Sequence, residues 1–143
     1  MEYHLDMPKK EDCLIGIDYG SKNIGVALGK NALVAPIKVI DAKNLQVAIG
    51  SLIRLSIENK SCGFVVGLPM DGDGKETKKS LEVRRFAQLL KTASKKQIFF
   101  QNEYATTVEA EEEMIDLEIS QKRRRMKDHY SAALILKQYY NTL

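Results

Sequence analysis

Short apolar segments alternate with polar turns along the whole 143-residue chain. Five of these segments predict β-strands, at residues 14–20, 24–29, 35–42, 62–69 and 97–103. The first two form a hairpin around the turn Ser21-Lys22-Asn23. The run at 62–69 is continuously apolar, which is typical of a strand that is buried on both faces.

Apolar residues recur at helical spacing in three other stretches, residues 44–60, 77–94 and 127–143. A further helix is predicted to begin at Thr106, because Thr106 and Glu109 have the spacing of a capping box. Strands that alternate with helices indicate an α/β fold with a five-stranded mixed sheet and helices on both faces. We expect the first three strands to form an antiparallel meander and the later strands to be parallel.

Length and composition are those of one soluble domain, which we place at residues 13–143 after a flexible polar tail at residues 1–12. No apolar run is long enough to span a bilayer or to serve as a signal peptide, so a cytoplasmic location is expected. Two cysteines without a C-x-x-C motif indicate neither a disulfide framework nor a zinc site. A net charge of +3 permits a nucleic-acid partner without requiring one.

A carboxylate interrupts the first predicted strand. A charged side chain in such a strand costs several kcal/mol unless it is paired. Strand alternation places Asp18 on one face, between Gly16 and Gly20. A floor of small residues around one carboxylate would leave room for a metal ion and a phosphate. The alternative is a sheet that glycines allow to pack tightly against a helix, with Asp18 bonded to a turn amide.

Two more carboxylates are candidates for the same site. Glu103 ends the fifth strand, and ligands of α/β sheets gather at the carboxyl ends of strands. Asp128 shares a helix face with Ala132 and Ile135. The alternative for Glu103 is a solvated strand end. The alternative for Asp128 is a helix N-cap. Converging carboxylates repel each other, so we expect at least one raised pKa without metal, and Mg²⁺ or Mn²⁺ as the ion that relieves the repulsion.

Four motifs together resemble the YqgF family of Holliday-junction-resolvase-like proteins, also described as pre-16S rRNA nucleases. They are IDYGSKNIGVALG, VVGLPMDGDGKET, NEYATTVEAE and KDHYSAALILKQYY, in this order from about Leu14 to Tyr140. The resemblance implies a ribonuclease H-like fold and a nuclease in which Asp18, Glu103 and Asp128 hold one or two Mg²⁺ or Mn²⁺ ions. It further implies a role in the maturation of the 5′ end of pre-16S rRNA, with a ribosome precursor as partner.

Candidate contacts to the nucleic acid lie in three places. They are the turn lysine Lys22, a substrate-side loop shaped by Gly67, Pro69 and Gly72, and the basic run Lys122, Arg123, Arg124 and Arg125. The alternatives are an exposed turn lysine, a plain turn and a solvated basic face.

The chain departs from the family's D-E-R element, which here reads Asn102-Glu103-Tyr104. One negative charge and one guanidinium that could bind phosphate are missing. This departure leaves open a catalytically inactive module that binds nucleic acid or the ribosome. A resolvase that acts on branched DNA is the other alternative. An actin-like ATP-binding protein also carries a D-x-G turn in its first strand, but that two-lobed fold needs a longer chain.

Overall fold

The computed structural model describes residues 7–103 and 127–143, except for the side chains of residues 127–129. Within these ranges the chain forms five strands and three helices. They are β1 (Leu14–Tyr19), β2 (Asn23–Lys30), β3 (Leu33–Asp41), α1 (Leu45–Asn59), β4 (Gly63–Leu68), α2 (Lys78–Ser94), β5 (Gln97–Asn102) and α3 (Lys127–Tyr140). The helix predicted to begin at Thr106 lies outside the described residues.

The five strands form one mixed sheet in the order β3-β2-β1-β4-β5. The pairs β1–β2 and β2–β3 are antiparallel, while β1–β4 and β4–β5 are parallel. This arrangement confirms the predicted meander followed by parallel strands. All six residues of β4 are buried, as its continuous apolar run predicts.

Helices cover both faces of the sheet, as expected for this fold class. On one face, α1 and α2 pack against β-strand side chains that include Ile15, Ile17 and Phe64. On the other face, Leu14 and Val65 pack against side chains of α3. The alternation of β1 therefore separates two hydrophobic cores, and a residue's position in the strand decides which core it joins.

Glycines on the α3 face allow that helix to lie directly on the sheet. A Cβ atom added at Gly16 would lie 2.8 Å from the carbonyl oxygen of Ala132 and 2.8 Å from the Cβ of Leu136. At Gly29 it would lie 2.4 Å from a ring carbon of Tyr140. The tight helix packing considered for the glycines of β1 is thus present. The Tyr140 hydroxyl also donates a hydrogen bond to the carbonyl of Asp12, at 2.7 Å.

Side-chain caps determine where α1 and α2 begin. Asn44 caps α1 by accepting a hydrogen bond from the amide of Val47 at 3.2 Å. Thr77 and Ser80 form a reciprocal capping box at the start of α2. The Ser80 hydroxyl also donates to the carbonyl of Pro69, just after β4. The first turn of α2 is therefore held at the carboxyl end of β4.

None of the helices in the described ranges is long and apolar enough to cross a membrane.

Candidate active site

Asp18 lies near the carboxyl end of β1 on the face covered by α3. Leu14 and Gly16, four and two positions earlier, both contact α3. Alternation therefore directs the Asp18 side chain to that same face. Asp18 pairs with Gly25 of β2, which has no side chain to cover it, and it remains partly exposed. The central strand thus presents one carboxylate beside the α3 layer.

Glu103 follows directly after β5 and reaches the same face. Its backbone N–H donates to the carbonyl of Leu68 at 3.1 Å, which prolongs the pairing of β5 with β4. Its carboxylate lies above Gly67, where an added Cβ would lie 2.8 Å from Oε2 of Glu103. That same Cβ would lie 2.4 Å from Cδ1 of Ile135 in α3. Only a glycine at position 67 leaves room for both side chains.

The register of the sheet brings the two carboxylates together. Ile17 of β1 pairs with Val66 of β4 in parallel, so the next step along the strands places Gly67 beside Asp18. Because the Glu103 carboxylate lies above Gly67, it lies next to Asp18 on the α3 face. Asp18 and Glu103, which are 85 positions apart in the chain, therefore form an acidic pair at the carboxyl edge of the sheet.

The electrostatics of this pair match the expected repulsion. The pKa of Glu103 is raised from 4.5 to about 7, first by burial and then by the negative charge of Asp18. The positive charge of Lys79 opposes this rise in the pKa. A divalent cation between the two carboxylates would favour their ionised forms, and carboxylate oxygens are the donors that Mg²⁺ prefers. The chemistry of the pair therefore fits such an ion.

The third predicted carboxylate, Asp128, lies in the first turn of α3, one turn before the buried Ala132. Its side chain is outside the described residues. Among the side chains that are described, no group of three His, Cys, Asp or Glu could hold a metal ion. The described part of the site is thus a pair of carboxylates.

The lysine predicted to meet a phosphate lines an open cleft beside the acidic pair. Lys22 lies in the turn between β1 and β2, and the cleft has a volume of about 560 Å³. Lys78 and Lys79, from the first turn of α2, also line it. Sequence reasoning missed these two lysines, because nothing local indicates that the start of α2 lies beside the end of β1.

The residues expected to shape a substrate-side loop fall in different places. Gly67 lies within β4 rather than in a loop, because the strand continues to Leu68 and Glu103 needs the space above residue 67. Pro69 follows the strand and accepts the hydrogen bond from Ser80. Gly72 lies in an exposed loop that Asp71 organises by accepting hydrogen bonds from two later amides. The basic run at residues 122–125 lies outside the described residues.

A five-stranded mixed sheet of this order, with helices on both faces, is the ribonuclease H-like fold. T. thermophilus RuvC in complex with a Holliday junction substrate matches with a TM-score of 0.57 at 10% identity, covering 92% of this chain and 96% of that one. The fowlpox virus Holliday junction resolvase matches with a TM-score of 0.54 at 16% identity, covering 92% and 99%. At these identities the likeness concerns the fold alone.

The chain belongs to the RuvX family, described as Holliday junction resolvase, whose family model matches residues 12–142. A relative from Rickettsia typhi is 38% identical over 136 residues, which cover 94% of this chain and 86% of the relative. One from Rhodobacter capsulatus is 34% identical, over 86% of this chain and 79% of the relative. Both are named "Putative pre-16S rRNA nuclease". The family resemblance of the four sequence motifs is thereby confirmed.

Proposed function

We propose that the protein is a metal-dependent nuclease that hydrolyses phosphodiester bonds during maturation of the 5′ end of pre-16S rRNA. The observation that carries this proposal is the acidic pair, in which the Asp18 charge acts on the pKa of Glu103 on one face of the sheet. Family membership and the names of the relatives support a nuclease whose substrate is this RNA.

The acidic residues would hold one or two Mg²⁺ or Mn²⁺ ions. Asp18 and Glu103 supply oxygen ligands from the sheet, and Asp128 is the proposed third ligand from α3. When bound, such an ion activates a water molecule for attack on phosphorus and stabilises the leaving oxygen. Gly67 contributes the space in which both the Glu103 carboxylate and the end of the Ile135 side chain lie.

Cleavage of a defined RNA tests the proposed function. We expect the natural protein to cut an RNA that spans the 5′ end of the small-subunit precursor with Mg²⁺ or Mn²⁺, and to leave it intact in EDTA. Asp18→Asn keeps the size of the side chain but removes its charge, so it should lose cleavage and keep its circular dichroism spectrum. Preferential cleavage of a branched DNA over this RNA would favour the resolvase alternative. No cleavage of either substrate would contradict the proposal.

The altered Asn102-Glu103-Tyr104 element favours one second candidate, an inactive module that binds nucleic acid. Asn102 is exposed at the end of β5 and, by alternation, points away from the face of Glu103. Asn102 is therefore not a metal ligand but a group around the ligands, and a substitution of such a group typically costs about 10–100-fold in activity.

The double variant Asn102→Asp with Tyr104→Arg restores the family pattern, and we expect it to raise the rate of RNA cleavage by about 10–100-fold. The single variant Asn102→Asp separates the added charge from the guanidinium. Single-turnover rates with Mn²⁺ would measure the gain. If the natural and restored proteins both bind RNA but neither cuts it, the inactive module is the correct function.

A further inference from the structure

The lysine cleft, formed by residues 19–23 together with Lys78, Lys79 and Glu82, is distinct from the acidic pair. It lies between the turn that follows β1 and the first turns of α2, with a volume of about 560 Å³. Lys22 is the residue of this cleft that the sequence predicts as a contact to nucleic acid. Of the two lysines of α2, Lys79 acts on the pKa of Glu103, and Lys78 precedes it at the start of the same helix.

The lysine cleft carries a net positive charge. Three lysines and one glutamate line it, so its formal charge is +2. Within the part of the chain that the structure describes, none of these lysines forms an ion pair, whereas Arg84 one turn further along α2 pairs with Glu76. The cleft therefore presents three ammonium groups, of which that of Lys79 also acts on Glu103.

The placement of two lysines at the start of α2 opposes an ordinary preference of helices. The first turn of a helix favours acidic residues, because its free N–H groups carry partial positive charge. The first turn of α2 has no acidic residue and begins with Lys78 and Lys79. The capping box and the bond from Ser80 to Pro69 hold this turn in place. A local preference broken in this way is typical of a functional position.

The lysine cleft and the acidic pair meet at the end of β1. Tyr19 and Gly20, which line the cleft, directly follow Asp18. The Tyr19 ring stacks on Phe86 of α2, at 4.4 Å between ring centroids, which directs Tyr19 to the face opposite Asp18. Lys79 lies close enough to the acidic pair for its charge to act on Glu103. One nucleic-acid strand that crosses the end of β1 would therefore meet both sites.

We propose that Lys78 and Lys79, together with Lys22, bind a backbone phosphate of the nucleic-acid strand next to the phosphodiester that lies at Asp18 and Glu103. This inference rests on the proposed nuclease function and adds the subsite that holds the strand. Ammonium groups recognise phosphate as point charges and do not read the base. The subsite therefore contributes affinity and position without sequence preference.

Binding of a labelled single-stranded RNA in EDTA tests the subsite without cleavage. Each phosphate contact to a single strand contributes about 0.7 to the slope of log affinity against log salt. The proposed subsite holds one phosphate, so the double variant Lys78→Gln with Lys79→Gln should lower the slope by about 0.7 and the affinity by about 5-fold at 0.1 M salt.

The matched control is Lys30→Gln with Lys91→Gln, which removes the same charge from the opposite edge of the sheet. Lys30 ends β2 beside the start of β1, and Lys91 lies in the last turn of α2. We expect the control to keep the natural slope. An unchanged slope in Lys78→Gln with Lys79→Gln, an equal loss in the control, or a natural protein that does not bind the RNA would each overturn the subsite.

Cleavage rates separate the subsite from the nuclease function. With metal present, Lys78→Gln with Lys79→Gln should raise KM and keep kcat, because the phosphate contact is the same before and during the reaction. RNA that binds through these lysines without being cut would contradict the nuclease function and support the subsite. RNA that is cut with an unchanged salt slope would support the nuclease and overturn the subsite.

Discussion

Replacing Glu103 by glutamine should abolish cleavage and yet stabilise the metal-free fold at pH 8 by up to about 3 kcal/mol. The pKa of Glu103 is raised from 4.5 to about 7 in the folded protein. Below pH 4.5 the carboxyl group is protonated in both the folded and the unfolded states, so the folded state loses nothing. Between pH 4.5 and 7 the unfolded state releases the proton more readily, and the free energy of unfolding falls. Glutamine carries no charge at any pH and avoids this loss.

Urea unfolding in EDTA at pH 4.5 and at pH 8 measures the effect. The natural protein and Glu103→Gln should differ little at pH 4.5 and most at pH 8. Glu58→Gln, which changes an exposed glutamate of α1, is the matched control and should show no such pH dependence. Equal stabilities of the natural protein and Glu103→Gln at pH 8 would mean that burial and the charge of Asp18 do not disfavour the ionised Glu103.

Divalent cations should offset the lower stability of the natural protein, since an ion that binds the folded site and not the unfolded chain stabilises the fold, and the gain grows with the logarithm of the ion concentration. Millimolar Mg²⁺ should raise the melting temperature of the natural protein and leave that of Glu103→Gln nearly unchanged. In Glu103→Gln the cleavage rate should fall by far more than the loss of about 10–100-fold that is typical of residues outside the ligand set. A melting temperature that does not respond to Mg²⁺ or Mn²⁺ in the natural protein would count against the metal site.

Gly16→Ala should destabilise the fold by about 1–3 kcal/mol, although it adds a single methyl group. That methyl would lie 2.8 Å from the Ala132 carbonyl oxygen and 2.8 Å from the Leu136 Cβ, so α3 has to move away from the sheet. Because α3 carries position 128, the movement should also weaken any metal binding that involves Asp128.

Gly50→Ala is the matched control for this substitution. Nothing lies within 4 Å of a Cβ at Gly50, which is within α1. The same methyl should therefore stabilise the fold by about 0.5–1 kcal/mol, the usual preference of a helix for alanine over glycine. Thermal and urea unfolding of both variants test the pair. A Gly16→Ala protein as stable as the natural one would mean that α3 does not need the close approach.

Strands and helices could be predicted because their signals are local. The capping residues Asn44 and Thr77 mark the starts of α1 and α2 through bonds to amides only three positions away. Alternation within β1 was enough to assign Asp18 to one face of the sheet, and the contacts of Gly16 and Tyr19 agree with that assignment. The position of Glu103 at the carboxyl end of a predicted strand was likewise sufficient to select it as a candidate site residue.

Tertiary structure decided which of these residues meet. Alternation specifies the face of a strand but not its neighbours, and only the order β1-β4-β5 brings Glu103 across Gly67 to Asp18. For the same reason Gly67 could not be recognised as the residue that makes room for Glu103. Lys79 belongs to an amphipathic helix and shows no distinctive spacing, so its closeness to Glu103 follows only from the docking of α2 beside β4. The chain sequence alone thus determined the elements and their faces, while the strand order created the acidic pair.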